Sequence, residues 1–192
     1  RGWGAPMKWM GIIACFFSSL ALSDIKDFYF QRFQERQQQQ LEWNVVPPAR
    51  LEPNLFAQRI DPKNPADTRT FNQRYYINTQ FADDKNSPTL FFLCGEATCK
   101  GASGVMAYYA NQLKANLIAL EHRYYGKSQP FDKLTTDNLK YLSTDNALRD
   151  AANFQKFAME TLGFRGKWIV VGGSYAGSLA AYYRQQYPGL VV

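Results

Sequence analysis

Histidine is almost missing from this sequence: His122 is the single one in 192 residues. One imidazole can fill at most one role, which excludes a multi-histidine zinc site within the chain. Cysteine is scarce as well, at positions 15, 94 and 99. Two or three thiols without histidine neighbours make a poor metal site, so neither a metal nor a cofactor is expected. Adjacent basic residues do not occur at all. The 22 Lys and Arg are interspersed with 16 acids, so the net charge of +6 gathers into no run. Without a basic stripe or a nucleic-acid fold signature, nucleic acid is not an expected partner. No apolar run reaches the roughly 20 residues that a stable membrane span requires.

What is present is a globular composition, 46% hydrophobic and 16% aromatic, suited to a packed core rather than to a solvated tail. Its first segment reads as a targeting signal. Lys8 supplies a positive charge, Trp9 to Leu22 a short apolar region, and Ala21 and Ser23 the small residues of a cleavage site before Asp24. Residues 1–6 precede the natural start on this reading, and the protein enters the secretory pathway, bound for the medium, the lysosome or another vesicle. A buried N-terminal helix is the competing assignment. No N-x-[ST] acceptor occurs for glycan-dependent sorting. Residues 24–55 then form an N-terminal helix and a Pro-rich stretch, a candidate propeptide. Ile25, Phe28, Tyr29 and Phe33 recur at helical spacing up to Gln40, and Pro47, Pro48, Pro53, Pro62 and Pro65 break the next stretch into loops. An oxidising compartment changes the meaning of the cysteines. Cys15 leaves with the signal; Cys94 and Cys99 could close a small loop, or either could pair outside the chain.

From residue 56 onward the pattern is that of an α/β domain. Phe71, Tyr75 and Ile77 alternate along an expected outer strand, residues 71–78. Thr89–Cys94 (TLFFLC), Asn116–Leu120 (NLIAL) and Lys167–Val171 (KWIVV) are continuous apolar runs, as strands covered on both faces require. Helices are expected between them at Val105–Lys114 and Asp145–Leu162. The second has Ser143 or Thr144 as N-cap, an apolar stripe of Leu148, Ala151, Phe154, Ala158 and Leu162, and Gly163 as its stop. Alternation of strands and helices implies a mostly parallel sheet.

The last strand runs into Gly172-Gly173-Ser174-Tyr175-Ala176-Gly177, and Leu179 to Tyr187 reads as a helix closed by Pro188-Gly189. A serine at a sharp strand-to-helix turn is the nucleophile elbow of the α/β-hydrolase fold. Strand and helix can meet there only if the residues two before and two after the serine are small, as Gly172 and Ala176 are. A bare G-x-S-x-G is weak evidence; the buried strand before it and the helix after it supply the context the motif needs. No G-x-G-x-x-G or G-K-[ST] phosphate loop competes.

Residues Gly172–Pro188 (GGSYAGSLAAYYRQQYP) resemble the nucleophile region of the serine peptidases that include prolyl carboxypeptidase, dipeptidyl peptidase II and thymus-specific serine protease, the last branch being the nearest. Leu120–Pro130 (LEHRYYGKSQP), Leu139–Ser143 and Phe71–Tyr76 resemble three further family blocks in the family's order. Two departures stand out. Gln58-Arg59-Ile60-Asp61-Pro62 lacks the family's histidine and aromatic, and Cys94-Gly95-Glu96-Ala97-Thr98-Cys99 stands where a Gly-x-Glu-Gly loop is usual.

The resemblance implies a serine exopeptidase, of dipeptidyl-peptidase or prolyl carboxypeptidase type, acting on peptides by acyl transfer. Ser174 is the expected nucleophile and Tyr175 N–H one oxyanion donor, with the second near Gly95 or Glu96. Glu96 is either an acceptor for a peptide's ammonium or a solvated loop acid. His122 precedes Ser174, whereas this fold orders its triad Ser, Asp, His. It is therefore expected to be structural, beside a Glu121–Arg123 pair, and Asp132, Asp137, Asp145 and Asp150 to be turn or cap residues. On this reading residues 56–192 are the N-terminal part of the peptidase domain, the triad acid and histidine lie beyond Val192, and the 192 residues alone are inactive. A non-catalytic short product that binds peptides or a partner, and an esterase or lipase on the same fold, are the alternatives.

Overall fold

The computed structural model describes residues 51–102 and 104–192, together with residues 28, 31, 32 and 35. The chain divides into two compact units, residues 1–45 and 46–192. In the first, the four described residues are helical, with Arg32 3.5 Å from Glu35 and its guanidinium 5.6 Å from the Phe28 ring centre. The expected signal segment and the rest of the 24–40 helix lie outside the described residues.

The second unit is a five-stranded sheet with helices on both faces. In chain order the elements are β1 (Asn54–Arg59), β2 (Thr70–Asn78), β3 (Thr89–Leu93), α1 (Val105–Gln112), β4 (Asn116–Leu120), α2 (Thr136–Leu139), α3 (Thr144–Glu160), β5 (Trp168–Val171) and α4 (Tyr175–Gln186). The spatial order is β1-β2-β4-β3-β5. β1, β2 and β4 pair antiparallel, and β4, β3 and β5 run parallel. A sheet that is antiparallel at one edge and parallel through β5, which runs at once into a helix, has the arrangement of an α/β-hydrolase sheet.

The apolar runs read from the sequence become β3, β4 and β5; β3 and β4 are covered on both faces, whereas three of the four β5 residues are only partly buried. Phe91, Leu93, Ile118 and Leu120 pack under Phe154, Ala158, Leu179 and Tyr183 of α3 and α4. Leu90, Leu117 and Ala119 face the other way, onto Met106 and Ala110 of α1. On that second face Phe92, Ile169 and Val171 stay only partly covered and, with Tyr109 and Leu113, line an apolar cavity of about 590 Å³. α3 starts where its cap predicts, the Ser143 hydroxyl accepting from Asn146 N–H, and ends before Gly163, whose φ of +84° suits glycine.

Two sequence expectations change, and two elements carried no sequence signal. The 71–78 strand is not the outer one, because β1 pairs along its far edge. β1 (NLFAQR) is mostly exposed, with Leu55 on the surface, so neither alternation nor an apolar run marks it. The helix expected from Leu179 begins a full turn earlier, at Tyr175, and the single turn of α2, capped by Thr135, had no periodic signal at four residues.

Candidate active site

β5 delivers the chain to Ser174, which adopts φ 53° and ψ −129° before α4 begins at Tyr175. A positive φ is strained for a serine, and such strain is tolerated where the surroundings impose it. The imposing contact is the approach of Gly172 to the first turn of α4. A Cβ on Gly172 would lie 2.1 Å from the Ala176 carbonyl oxygen and 2.8 Å from Gly177 N. Nothing lies within 4 Å of the same position on Gly173, so only the first glycine of the pair is sterically required. The Ser174 side chain makes no capping bond to α4, and the residue is exposed.

The loop after β3 lies beside the elbow. A Cβ on Gly95 would sit 3.9 Å from the Ala176 methyl, ordinary contact, which shows that the alanine in place of the motif's second glycine is accommodated. Both ends of the loop are anchored. Cys94 and Cys99 are disulfide-bonded, Cys94 N–H donates to the Leu120 carbonyl at 3.0 Å, and Tyr76 OH donates to the Cys99 carbonyl at 2.8 Å. Glu121 completes the anchorage by accepting Cys99 N–H at 3.0 Å. Gly95, Tyr175 and Ser174, expected to act together, are thus gathered at one end of the parallel strands.

Glu121 does not pair with Arg123. It is fully buried and accepts from Arg74 Nε (2.9 Å) and Nη2 (2.6 Å), Ser128 Oγ (2.6 Å) and Lys127 N–H (3.1 Å) in addition to Cys99. Burial alone would push its carboxyl up; the hydrogen bonds from Arg74, Ser128 and Cys99 outweigh that and hold it below the ordinary range. Arg123 instead forms a bidentate pair with Asp150 at 2.6 and 2.7 Å. Its other guanidinium N–H groups donate to the carbonyls of Ile60, Tyr141 and Arg59. Asp150 is therefore no turn or cap residue but a buried ion-pair partner inside α3, and burial pushes its carboxyl up to about 6 against the pull of Arg123. The two pairs escape sequence reading because their partners are 47 and 27 positions apart. Asp137 and Asp145 do sit in first helical turns, Asp145 also meeting Lys63 at 2.6 Å, and Asp132 is an exposed loop residue.

His122 is buried, 6% exposed. Its Nδ1 lies 2.7 Å from the Arg123 carbonyl, which can only accept, so Nδ1 carries the proton. Nε2 is buried with no hydrogen-bond partner, and burial pushes the imidazole pKa down, keeping the ring neutral. Its edge contacts are Tyr125 and Tyr175, with ring centres 5.3 and 5.7 Å away. These rings, with Glu96, Leu142, Ser143 and Thr144, line a cavity of about 250 Å³ beside the elbow. Glu96, exposed on the disulfide loop, faces the same cavity as Tyr175. Among the described residues no group of three or more His, Cys, Asp and Glu side chains is placed to hold a metal ion.

Residues 58–192 match the family model described as "Serine carboxypeptidase S28". Relatives include "Probable serine protease EDA2" of Arabidopsis thaliana, 39% identical over 145 residues that make up 70% of this chain and 30% of that protein. "Thymus-specific serine protease" of Homo sapiens is 37% identical over 171 residues, 85% of this chain and 33% of that protein. "Lysosomal Pro-X carboxypeptidase" of Mus musculus is 36% identical over 146 residues, 71% and 30% respectively. The chain thus spans about a third of the length of the curated relatives it matches.

Proposed function

The chain belongs to the serine carboxypeptidase S28 family, and from that membership we propose that Ser174 is the nucleophile of a secretory-pathway serine exopeptidase of dipeptidyl-peptidase or carboxypeptidase type. The observation that carries the assignment is Ser174 at φ 53° on the strand-to-helix turn, held by the Gly172–Ala176 approach.

In the proposed reaction Ser174 Oγ attacks the peptide carbonyl and the amine leaves, forming an acyl-enzyme that water then hydrolyses. Charge developing on the carbonyl oxygen is met by Tyr175 N–H and by a second N–H from Gly95 or Glu96, each such donor lowering the barrier by about 3 kcal/mol. The disulfide and the Glu121 anchorage keep that second donor in place, since a catalytic donor acts only if it is already positioned when charge appears. His122 is not the base. Its only proton is directed to a backbone carbonyl, and it precedes Ser174 where this fold's triad places its histidine after the serine. We therefore assign the base and its acid to residues outside these 192, and expect the isolated 192 residues not to turn over peptides. The apolar N-terminal segment and the disulfide favour an oxidising compartment, lysosomal or extracellular.

A fluorophosphonate probe tests the nucleophile. The full-length gene product is expected to be labelled, and Ser174→Ala to lose all labelling while keeping its circular dichroism. Labelling that survives in Ser174→Ala overturns the assignment, and steady peptide turnover by residues 1–192 overturns the external base. Preference for ester over peptide substrates points instead to the esterase alternative.

A further inference from the structure

We propose that the cavity lined by Glu96, His122, Tyr125, Ser143, Thr144 and Tyr175 binds the amino-terminal ammonium of the substrate, so that the enzyme trims peptides from their amino end. The proposal rests on Ser174 being the nucleophile and decides between the two exopeptidase types left open above.

Position comes first. Tyr175 places its ring in the cavity wall and its backbone N–H at the elbow, and Glu96 directly follows Gly95 on the neighbouring loop. A group seated in the cavity is therefore close to the carbonyl that Ser174 would attack. Polarity comes second. The lining offers the carboxylate of Glu96 and four hydroxyls, those of Tyr125, Ser143, Thr144 and Tyr175, and no Lys or Arg among the described residues. A free carboxylate, which carboxypeptidase action must hold, could be offered hydroxyl donors there but would meet the like charge of Glu96 and no cation. An ammonium would meet an opposite charge and acceptors for its three N–H donors.

His122 supports the same sign. With its proton committed to the Arg123 carbonyl and the ring buried, the imidazole stays neutral and brings no positive charge to the cavity wall. A neutral imidazole also leaves the charge of Glu96 uncompensated. The nearby Arg123 does not offset it either, being paired with Asp150. One feature opposes an ammonium: the positive end of the α3 dipole lies at Ser143 and Thr144. It is met in part, because Ser143 Oγ accepts Asn146 N–H at 3.2 Å, while Asp145 in the first turn is itself paired with Lys63 and Arg149. A cavity of about 250 Å³ has room for an amino terminus but not for a long peptide.

The test compares a dipeptidyl anilide with a free amine, its N-acetyl counterpart and an N-blocked peptide with a free carboxyl end, all on the full-length gene product. The free amine is expected to be preferred over its acetylated form by roughly 10- to 100-fold in kcat/KM, the range of a charge-assisted hydrogen bond. Glu96→Gln is expected to collapse that ratio toward one. Equal cleavage of both anilides, an equal effect of Glu96→Gln on both, or release of the last residue from the N-blocked peptide overturns the proposal. Fluorophosphonate labelling of the same preparations separates the two levels. A labelled enzyme indifferent to the amine refutes the ammonium site alone, whereas an unlabelled one refutes the nucleophile assignment and the ammonium site with it.

Discussion

Adding one methyl group at Gly172 should undo the elbow, and the same methyl one position later should not. In Gly172→Ala the new Cβ would lie 2.1 Å from the Ala176 carbonyl oxygen, 2.3 Å from its carbon and 2.8 Å from Gly177 N. All three are backbone atoms in the first turn of α4, so no side-chain rotation relieves the clash. The helix start must retreat by about 0.9 Å merely to bring the closest contact to 3.0 Å, below which real Cβ contacts essentially never occur. Overpacking a side-chain contact typically costs about 1–3 kcal/mol, and a backbone collision belongs at or above the top of that range. At about 3 kcal/mol the unfolding midpoint of a domain of this size falls by roughly 6–12 °C. Gly173→Ala is the matched control, since its Cβ meets nothing within 4 Å and its φ is not positive. Thermal unfolding of parent and both variants is the assay, with urea midpoints as a second measure. A Gly172→Ala melting point within about 2 °C of the parent, or one no lower than that of Gly173→Ala, would refute the close approach as the device that shapes the elbow.

Two more outcomes concern the buried charges. His122 has a folded-state pKa below its ordinary 6.5, so its contribution to stability is complete above pH 6.5 and is lost as pH falls through the depressed value. Asp150, raised to about 6, acts in the opposite sense, its contribution shrinking as pH rises from about 4 to 6. The difference in urea stability between the parent and His122→Asn, which cancels Asp150, should therefore narrow steadily as the buffer is acidified below pH 6.5. A difference that stays constant over that window would contradict the buried neutral imidazole. Asp150→Ala strands the Arg123 guanidinium in the core with two donors unpaired. It should lose about 3–5 kcal/mol of unfolding free energy in urea, and a loss under 1 kcal/mol would contradict the pairing.

The site lies in the half of the domain where local and tertiary signals agree. β3 and β4 are covered on both faces and β5 is apolar on both, so each leaves an unbroken run that can be read directly. The elbow is legible for a related reason: steric demand at Gly172 and Ala176 falls on residues close in sequence to Ser174. β1 shows the converse. It sits at an edge with one face toward solvent, and its polar residues are there because nothing covers them. Gln58 within it is nonetheless buried, donating to Gln73 at 3.0 Å and to the Asp150 carbonyl at 3.1 Å, contacts 15 and 92 positions away.

Chain-local constraints were therefore enough for the fold class, the nucleophile candidate and the loop bearing Gly95, because turns, caps and two-sided burial act on neighbouring residues. The sequence also showed by itself that a single histidine preceding Ser174 is misplaced for this fold's triad. It could not say how the charges divide. Glu121 and Arg123 are two positions apart and of opposite sign, which made them look like partners. In the folded chain one turns to Arg74 and the Cys99 loop, the other to Asp150 and the carbonyls of Arg59, Ile60 and Tyr141. A buried charge must find a nearly complete set of hydrogen bonds, and only the packing of strands, loop and helix against one another determines where that set lies. The same packing buries His122 with one nitrogen unsatisfied and sets Glu96 beside Tyr175 on a small cavity, which converts an ordinary loop acid into a candidate for recognising substrate.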